Sequence, residues 1–155
     1  LPDVREYVAA DGRSPFGIWF DRLNPEAAAK VATALIRLAG GNEGKERTAM
    51  PLTRDFKQTI RARVERDPKF RTELLREGLE SMLNGDIATA KTVLRDYINA
   101  TVGFTELAHA TQIPSKSLMR MLGPTGNPRA SNLLEVVRFL QHREGIRFRV
   151  QAARR

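Results

Sequence analysis

From Leu52 onward the apolar positions recur at helical spacing almost without interruption. Phe56, Ile60 and Val64 make a narrow stripe, and the helix carrying them breaks at Asp67-Pro68. Phe70, Leu74, Leu75, Leu79, Met82 and Leu83 make a wider stripe that closes at Asn84-Gly85. Asp86 is placed to cap a third helix bearing Ile87, Ala90, Val93, Leu94, Tyr97 and Ile98, which Gly103 ends. The narrow first stripe predicts a helix packed at an edge or against a partner. Earlier in the chain, residues 4–8 alternate and are rich in strand formers. Ser14-Pro15 and Asn24-Pro25 each read as an N-cap followed by proline at the first helical position. They open one helix with Phe16, Trp19, Phe20 and Leu23 on one side, and a second through Ala28, Val31, Leu35 and Leu38 that stops at Gly40-Gly41. The polar, aperiodic run 42–50 reads as a linker. At the far end Gly145 breaks the chain, and 146–150 alternates apolar with basic residues, predicting a short strand.

Residues 104–122, FTELAHATQIPSKSLMRML, carry the most specific pattern. A short helix over 104–111 puts Phe104, Leu107 and Ala108 on one face, and Pro114 forces a turn at 112–114. Ser115 is expected as the N-cap of a second helix with Leu118, Met121 and Leu122 pointing inward. Two short helices joined by a tight turn, with small Ala108 where they touch and Ile113 and Leu118 as apolar plugs, are the helix-turn-helix pattern. Outward face Ser115, Lys116, Ser117 and Arg120, side chains suited to a groove of DNA. One departure stands out: the turn position usually held by glycine is Gln112. A turn-rich run, GPTGNPRA over 123–130, leads to a helix over 130–143 with Leu133, Leu134, Val137 and Leu140 at helical spacing.

These residues resemble the helix-turn-helix domain of the phage-repressor (XRE-type) superfamily. More closely, the run IPSKSLMRML, the GNPRA-like loop and the following apolar helix resemble HigA-like addiction module antidote proteins. That resemblance covers residues 52–148 and is most specific over 104–140. The opening of the chain, with its REY and GRSPF…WF runs, resembles the start of RelE/HigB-like killer-protein toxins. The match ends with residue 41, before the strands that carry the ribonuclease site in that family. The resemblances imply a toxin-like segment at 1–41, a linker at 42–50 and an antidote-like DNA-binding domain at 51–155, with its helix-turn-helix at 104–122. Met50 then reads as a former start codon, and Leu1 in place of methionine leads us to expect a few residues trimmed or left disordered ahead of it. The expected fold is mainly α, a multi-helix domain with a lambda-repressor-like helix-turn-helix and short N- and C-terminal β-strands.

Charge sharpens the picture. The net charge is +8, and residues 103–155 hold 9 Lys/Arg against 3 Asp/Glu, whereas residues 1–50 hold 7 of each. A basic segment attracts polyanions, the footprint of a DNA binder. The absence of cysteine excludes disulfides and thiolate metal sites. No apolar run reaches the length of a membrane span and no signal peptide is visible, so a cytoplasmic protein without membrane contact is expected. Catalysis finds no support. His109 and His142 fall on separate helices without metal-ligand spacing, and Ser115 and Ser117 have no nearby base. The run GPTGNP lacks the lysine of a phosphate-binding loop. No enzyme, metal or cofactor is expected, and the toxin-like segment is expected to lack ribonuclease activity.

The expected function is that of a sequence-specific transcriptional regulator, an antitoxin-like repressor binding a palindromic double-stranded operator as a homodimer. Gln112, Ser115, Lys116, Ser117 and Arg120 are the expected base-reading residues, and Asn127, Arg129 and Asn132 the expected phosphate contacts. The alternative is an interaction module of a toxin–antitoxin system that neutralises a RelE/HigB-type mRNA interferase, docking it on the helices of 52–98. Strand 4–8 lacks an obvious nearby partner and is expected to pair with 146–150, within one chain or as a strap between two.

Overall fold

The computed structural model describes residues 4–40 and 53–154. The fold is mainly helical with a short two-stranded sheet. In order, the elements are β1 (Arg5–Tyr7), α1 (Pro15–Arg22), α2 (Pro25–Leu38), β2 (Thr53–Asp55), α3 (Phe56–Arg66), α4 (Pro68–Leu83), α5 (Ile87–Ala100), α6 (Gly103–Thr111), α7 (Ser115–Met121) and α8 (Ala130–Glu144).

Local chemistry sets most helix starts. Pro15, Pro25 and Pro68 each stand at the first helical position, where the missing N–H is no loss. The residue before each proline supplies the cap: Ser14 Oγ accepts from the Gly17 amide (2.9 Å), Asn24 Oδ1 from Ala27 (2.9 Å) and Asp67 Oδ1 from Phe70 (3.1 Å). Asp86 Oδ1 caps α5 through the Thr89 amide at 3.2 Å. The helix starts expected at 14, 24 and 86 therefore stand, and the break expected at Asp67-Pro68 is also the capped start of α4.

Two cores share one wall, the α4–α5 hairpin. On one side Phe20 of α1 and Ala28, Ala32 and Ile36 of α2 pack with Phe56, Ile60 and Val64 of α3, Phe70 and Leu74 of α4, and Val93 of α5. On the other, Leu75, Leu94, Tyr97 and Ile98 meet Phe104, Leu107, Leu118, Val136 and Leu140. Gly78 lets the hairpin close, because a Cβ there would come within 2.9 Å of Val93 Cγ1. The expected stripe on α2 is displaced: Ala28, Ala29, Ala32, Thr33 and Ile36 are buried, while Leu38 is 56 % exposed. Small alanines bring the α2 backbone close to its neighbours, and the larger Val31 and Leu35 are left half-buried on the flank.

Polar groups join the first segment to the body. Arg63 of α3 is buried, with its guanidinium over the rings of Phe20 (5.3 Å) and Phe70 (5.0 Å). It donates to the carbonyl oxygens of Phe20 and Leu23, the latter at 2.7 Å, and so satisfies acceptors at the end of α1. Asp67 Oδ2 accepts from its Nε at 3.2 Å. Buried Glu6 of β1 pairs with Arg54 of β2 and accepts from Thr59 Oγ1 of α3 at 2.8 Å.

The partner expected for the first strand is therefore corrected. β1 runs antiparallel to β2 in the register Arg5↔Asp55, Glu6↔Arg54, Tyr7↔Thr53. The C-terminal strand expected at 146–150 does not form. Ile146 and Phe148 instead pack against the second core, and the Phe148 amide donates to Gln141 Oε1 at 2.7 Å. Their alternation with basic residues places one face on the core without a ladder. The linker expected at 42–50, like Gly41, lies outside the described residues.

Candidate nucleic-acid interface

The helix–turn–helix geometry is built from α6, a three-residue turn and α7. Phe104 and Leu107 of α6 and Leu118, Met121 and Leu122 at α7 are buried in the second core, with Ala108 and Ile113 half-buried against it. Gln112 occupies the left-handed region (φ 58°, ψ 24°) and is the one non-glycine residue with positive φ among the described residues. That conformation costs an ordinary residue roughly 1–2 kcal/mol. Gln112 offsets part of it locally, since its Nε2 donates to the His109 carbonyl at 2.7 Å, an acceptor freed by the end of α6. Its amide nitrogen is thus engaged with its own helix, and the base-reading role expected for it would fall to the side-chain oxygen.

Ser115 is corrected from cap to first helical residue. Pro114 holds the N-cap position of α7, no side chain caps the helix, and the Pro114 carbonyl accepts from the Ser117 (2.8 Å) and Leu118 (3.0 Å) amides. Proline's fixed φ sets the entry of the chain into α7, and the side-chain cap expected of Ser115 is not made. Outward on α7 stand Lys116, Met119 and Arg120, all exposed, with Ser115 and Ser117 half-buried at the edges. Met119 was not anticipated on this face.

The loop after α7 is held tightly. Gly126 lies against the last turn of α7, where an added Cβ would overlap the carbonyl oxygens of Arg120 and Met121. Lys91 of α5 reaches the loop from behind, its ammonium donating to the Pro124 (3.2 Å) and Gly126 (2.6 Å) carbonyls. Sequence reading missed Lys91, although the signal was present: Ile87, Lys91, Leu94 and Ile98 lie on one helical line, and a lysine among apolar positions calls for a partner. Beyond the loop Asn127 and Arg129 are exposed, and Asn132 is half-buried in the first turn of α8. Arg129 occupies the N-cap position and no side chain caps α8. Leu134, expected inward, is 65 % exposed, and Val136 takes its place because 133, 136, 137 and 140 form the buried line. The far end of α8 is fixed by Glu144, which accepts from the Tyr97 hydroxyl (2.6 Å) and pairs with Arg71 (3.3 Å). Burial, and then the bond to Glu144, raise the Tyr97 hydroxyl well above the ordinary tyrosine range.

The distribution of ion pairs divides the surface. In α2–α4, Lys30, Arg37, Arg61, Arg66, Arg71 and Arg76 face carboxylates, and Lys69 is the exception among the described residues. Lys116, Arg120 and Arg129 have no carboxylate partner among the described residues. Exposed ion pairs add little stability but cancel local field, whereas unpaired cations leave a positive potential facing solvent.

No protein-family model matches the chain, and neither does any curated protein or solved structure. Among the described residues no helix is long and apolar enough to cross a membrane.

Proposed function

We propose that the protein is a sequence-specific regulator of transcription, an antitoxin-like repressor that binds double-stranded DNA as a dimer. The observation that carries this reading is the pair Lys116 and Arg120, exposed on the outer face of α7 and without a carboxylate partner among the described residues, in a chain whose other helices pair most of their cations. On this reading α7 enters the major groove, where Arg120 and Lys116 reach guanine acceptors and Ser115, Ser117 and Gln112 make polar contacts at the edges. Asn127, Arg129 and Asn132, with the uncapped amides at the start of α8, hold phosphates and fix the register. One such unit makes few contacts, so two copies on a palindrome supply the affinity.

The test is selection from a random duplex library with the full chain, followed by footprinting of the gene's own promoter. Enrichment of an inverted repeat, protected as two half-sites one helical turn apart, is expected. Recovery of no preferred sequence would sink the reading.

A further inference from the structure

Lys91 is 7 % exposed and no carboxylate pairs with it among the described residues. A buried ammonium is costly unless its donors are met. Here the Pro124 and Gly126 carbonyls meet two of them, at 3.2 and 2.6 Å, and the charge lies beyond the C-terminal end of α7, where a cation is favoured. The loop is gripped from its other side too. Gly126 donates its amide to the Gly123 carbonyl at 3.0 Å and presses on the Arg120 and Met121 carbonyls with no room for a Cβ. The backbone of Arg120, whose side chain lies on the outer face, thus abuts the residue that precedes Asn127 and Arg129.

We propose that Lys91 is a positioning residue for DNA recognition. By tying residues 124–126 to α5, it sets the offset between Lys116 and Arg120 on α7 and Asn127 and Arg129 ahead of α8. Both groups then reach one stretch of duplex together. Lys91 touches no DNA itself; it acts through the loop. The inference rests on the DNA-binding reading above, and it adds a residue from outside the helix-turn-helix to that site.

The experiment uses the full chain and a duplex enriched from a random library by the wild-type protein. Dissociation constants are measured across a salt series for wild type, Lys91→Met, Lys91→Arg, Arg129→Ala and the Lys91→Met/Arg129→Ala pair, with circular dichroism checking the fold. Lys91→Met is expected to weaken binding about 10-fold and to flatten the salt dependence by about one phosphate contact, as Arg129→Ala does. The double variant is expected to bind no worse than the weaker single one, and Lys91→Arg to recover most of the loss. Gly126→Ala, which pushes the loop off α7 and leaves Lys91 in place, is expected to give the same pattern. If the losses from Lys91→Met and Arg129→Ala multiply while the salt slope of Lys91→Met stays at the wild-type value, Lys91 only stabilises the fold and the inference is overturned. Unchanged binding by Gly126→Ala overturns it as well. A wild-type protein that enriches no duplex overturns the DNA-binding reading, and this inference with it.

Discussion

Phe20 tests whether the first segment and the helices that follow stand or fall together. Its side chain is fully buried, stacked on Phe16 at 5.5 Å, edge-on to Phe70 at 5.6 Å and beneath the Arg63 guanidinium. Replacing it with alanine opens a cavity between α1 and α4 and removes the ring that Arg63 covers. Losses of this kind run about 3–5 kcal/mol, and the two aromatic contacts with the cation–π contact place Phe20→Ala toward the upper end. A domain has about 5–15 kcal/mol in total. With a urea dependence of about 2 kcal/mol/M, the midpoint is expected to fall by about 2 M. The chain has one tryptophan, Trp19, which lies in α1 beside Phe16 at 5.9 Å, so its fluorescence reports on the first segment. Far-ultraviolet circular dichroism is dominated by α3–α8. The two signals are expected to trace one transition in the wild type and to shift together in Phe20→Ala. A variant whose fluorescence midpoint falls while the dichroism midpoint holds would refute the reasoning, because the two segments would then unfold as separate units.

Three further outcomes are expected. Arg120→Ala should weaken binding to the selected duplex by about 1–3 kcal/mol and to random duplex much less, read by competition titration; equal losses would reduce Arg120 to a phosphate contact. Gln112→Gly should leave stability within about 0.5 kcal/mol, since relief of positive φ offsets the lost bond to His109, whereas Gln112→Val should cost about 2 kcal/mol in urea unfolding. Burial opposes ionisation of Asp67, yet the Phe70 amide and Arg63 outweigh it and hold the carboxyl below the usual range. A depressed folded-state pKa gives stability that is present above about pH 3.9, the unfolded value, and is lost as pH falls through the folded value. Asp67→Asn should therefore be less stable than wild type at pH 7, and the gap should close in acid unfolding curves below the folded-state pKa.

What could be read from the sequence divides along physical lines. Caps and prolines act within four residues, so the starts of α1, α2, α4 and α5 were legible from Ser14, Asn24, Asp67 and Asp86 alone. Helical periodicity found Phe56, Ile60 and Val64, but on α2 beyond Ala28 it favoured large residues and missed Ala29, Ala32 and Ile36, where close approach of backbones decides burial. The pairing of β1 with β2 was not legible, because Thr53, Arg54 and Asp55 carry no apolar alternation; an ion pair between buried Glu6 and half-exposed Arg54 marks that ladder. Residues 146–150 erred in the opposite sense, since Ile146 and Phe148 alternate for packing rather than pairing. Within the candidate site, the exposed Lys116 and Arg120 were legible as polar positions opposite an apolar face, and Arg129 as a cation of the turn-rich loop. For Lys91 the helical line shows only that a partner is needed; which partner was not legible, because the loop carbonyls it meets lie more than thirty residues away.

The packing of the first segment also weighs on the alternative of toxin neutralisation. That reading assigns docking to the helices of 52–98, and the face it would use on α3, α4 and α5 is partly occupied within the chain. Ala28, Ala29, Ala32 and Ile36 of α2 and Phe20 of α1 already cover Ile60, Phe70, Leu74 and Val93. A second protein using that face would first have to lift α1 and α2 away. It would then expose both apolar surfaces and strand the Arg63 guanidinium and the buried Glu6, whose partners lie across the junction. Such an opening costs a large fraction of the stability of the fold, and a partner must supply that free energy before any net affinity appears. The outer face of α7 requires no such opening: Lys116, Met119 and Arg120 are exposed in the closed chain. On the proposed reading a duplex would meet this face without any opening of the fold, whereas a protein partner seeking the first core would need one. Any neutralising contact would have to use a different surface, and the exposed side chains Leu83 and Ile87 at the α4–α5 turn mark where mutagenesis for it should begin.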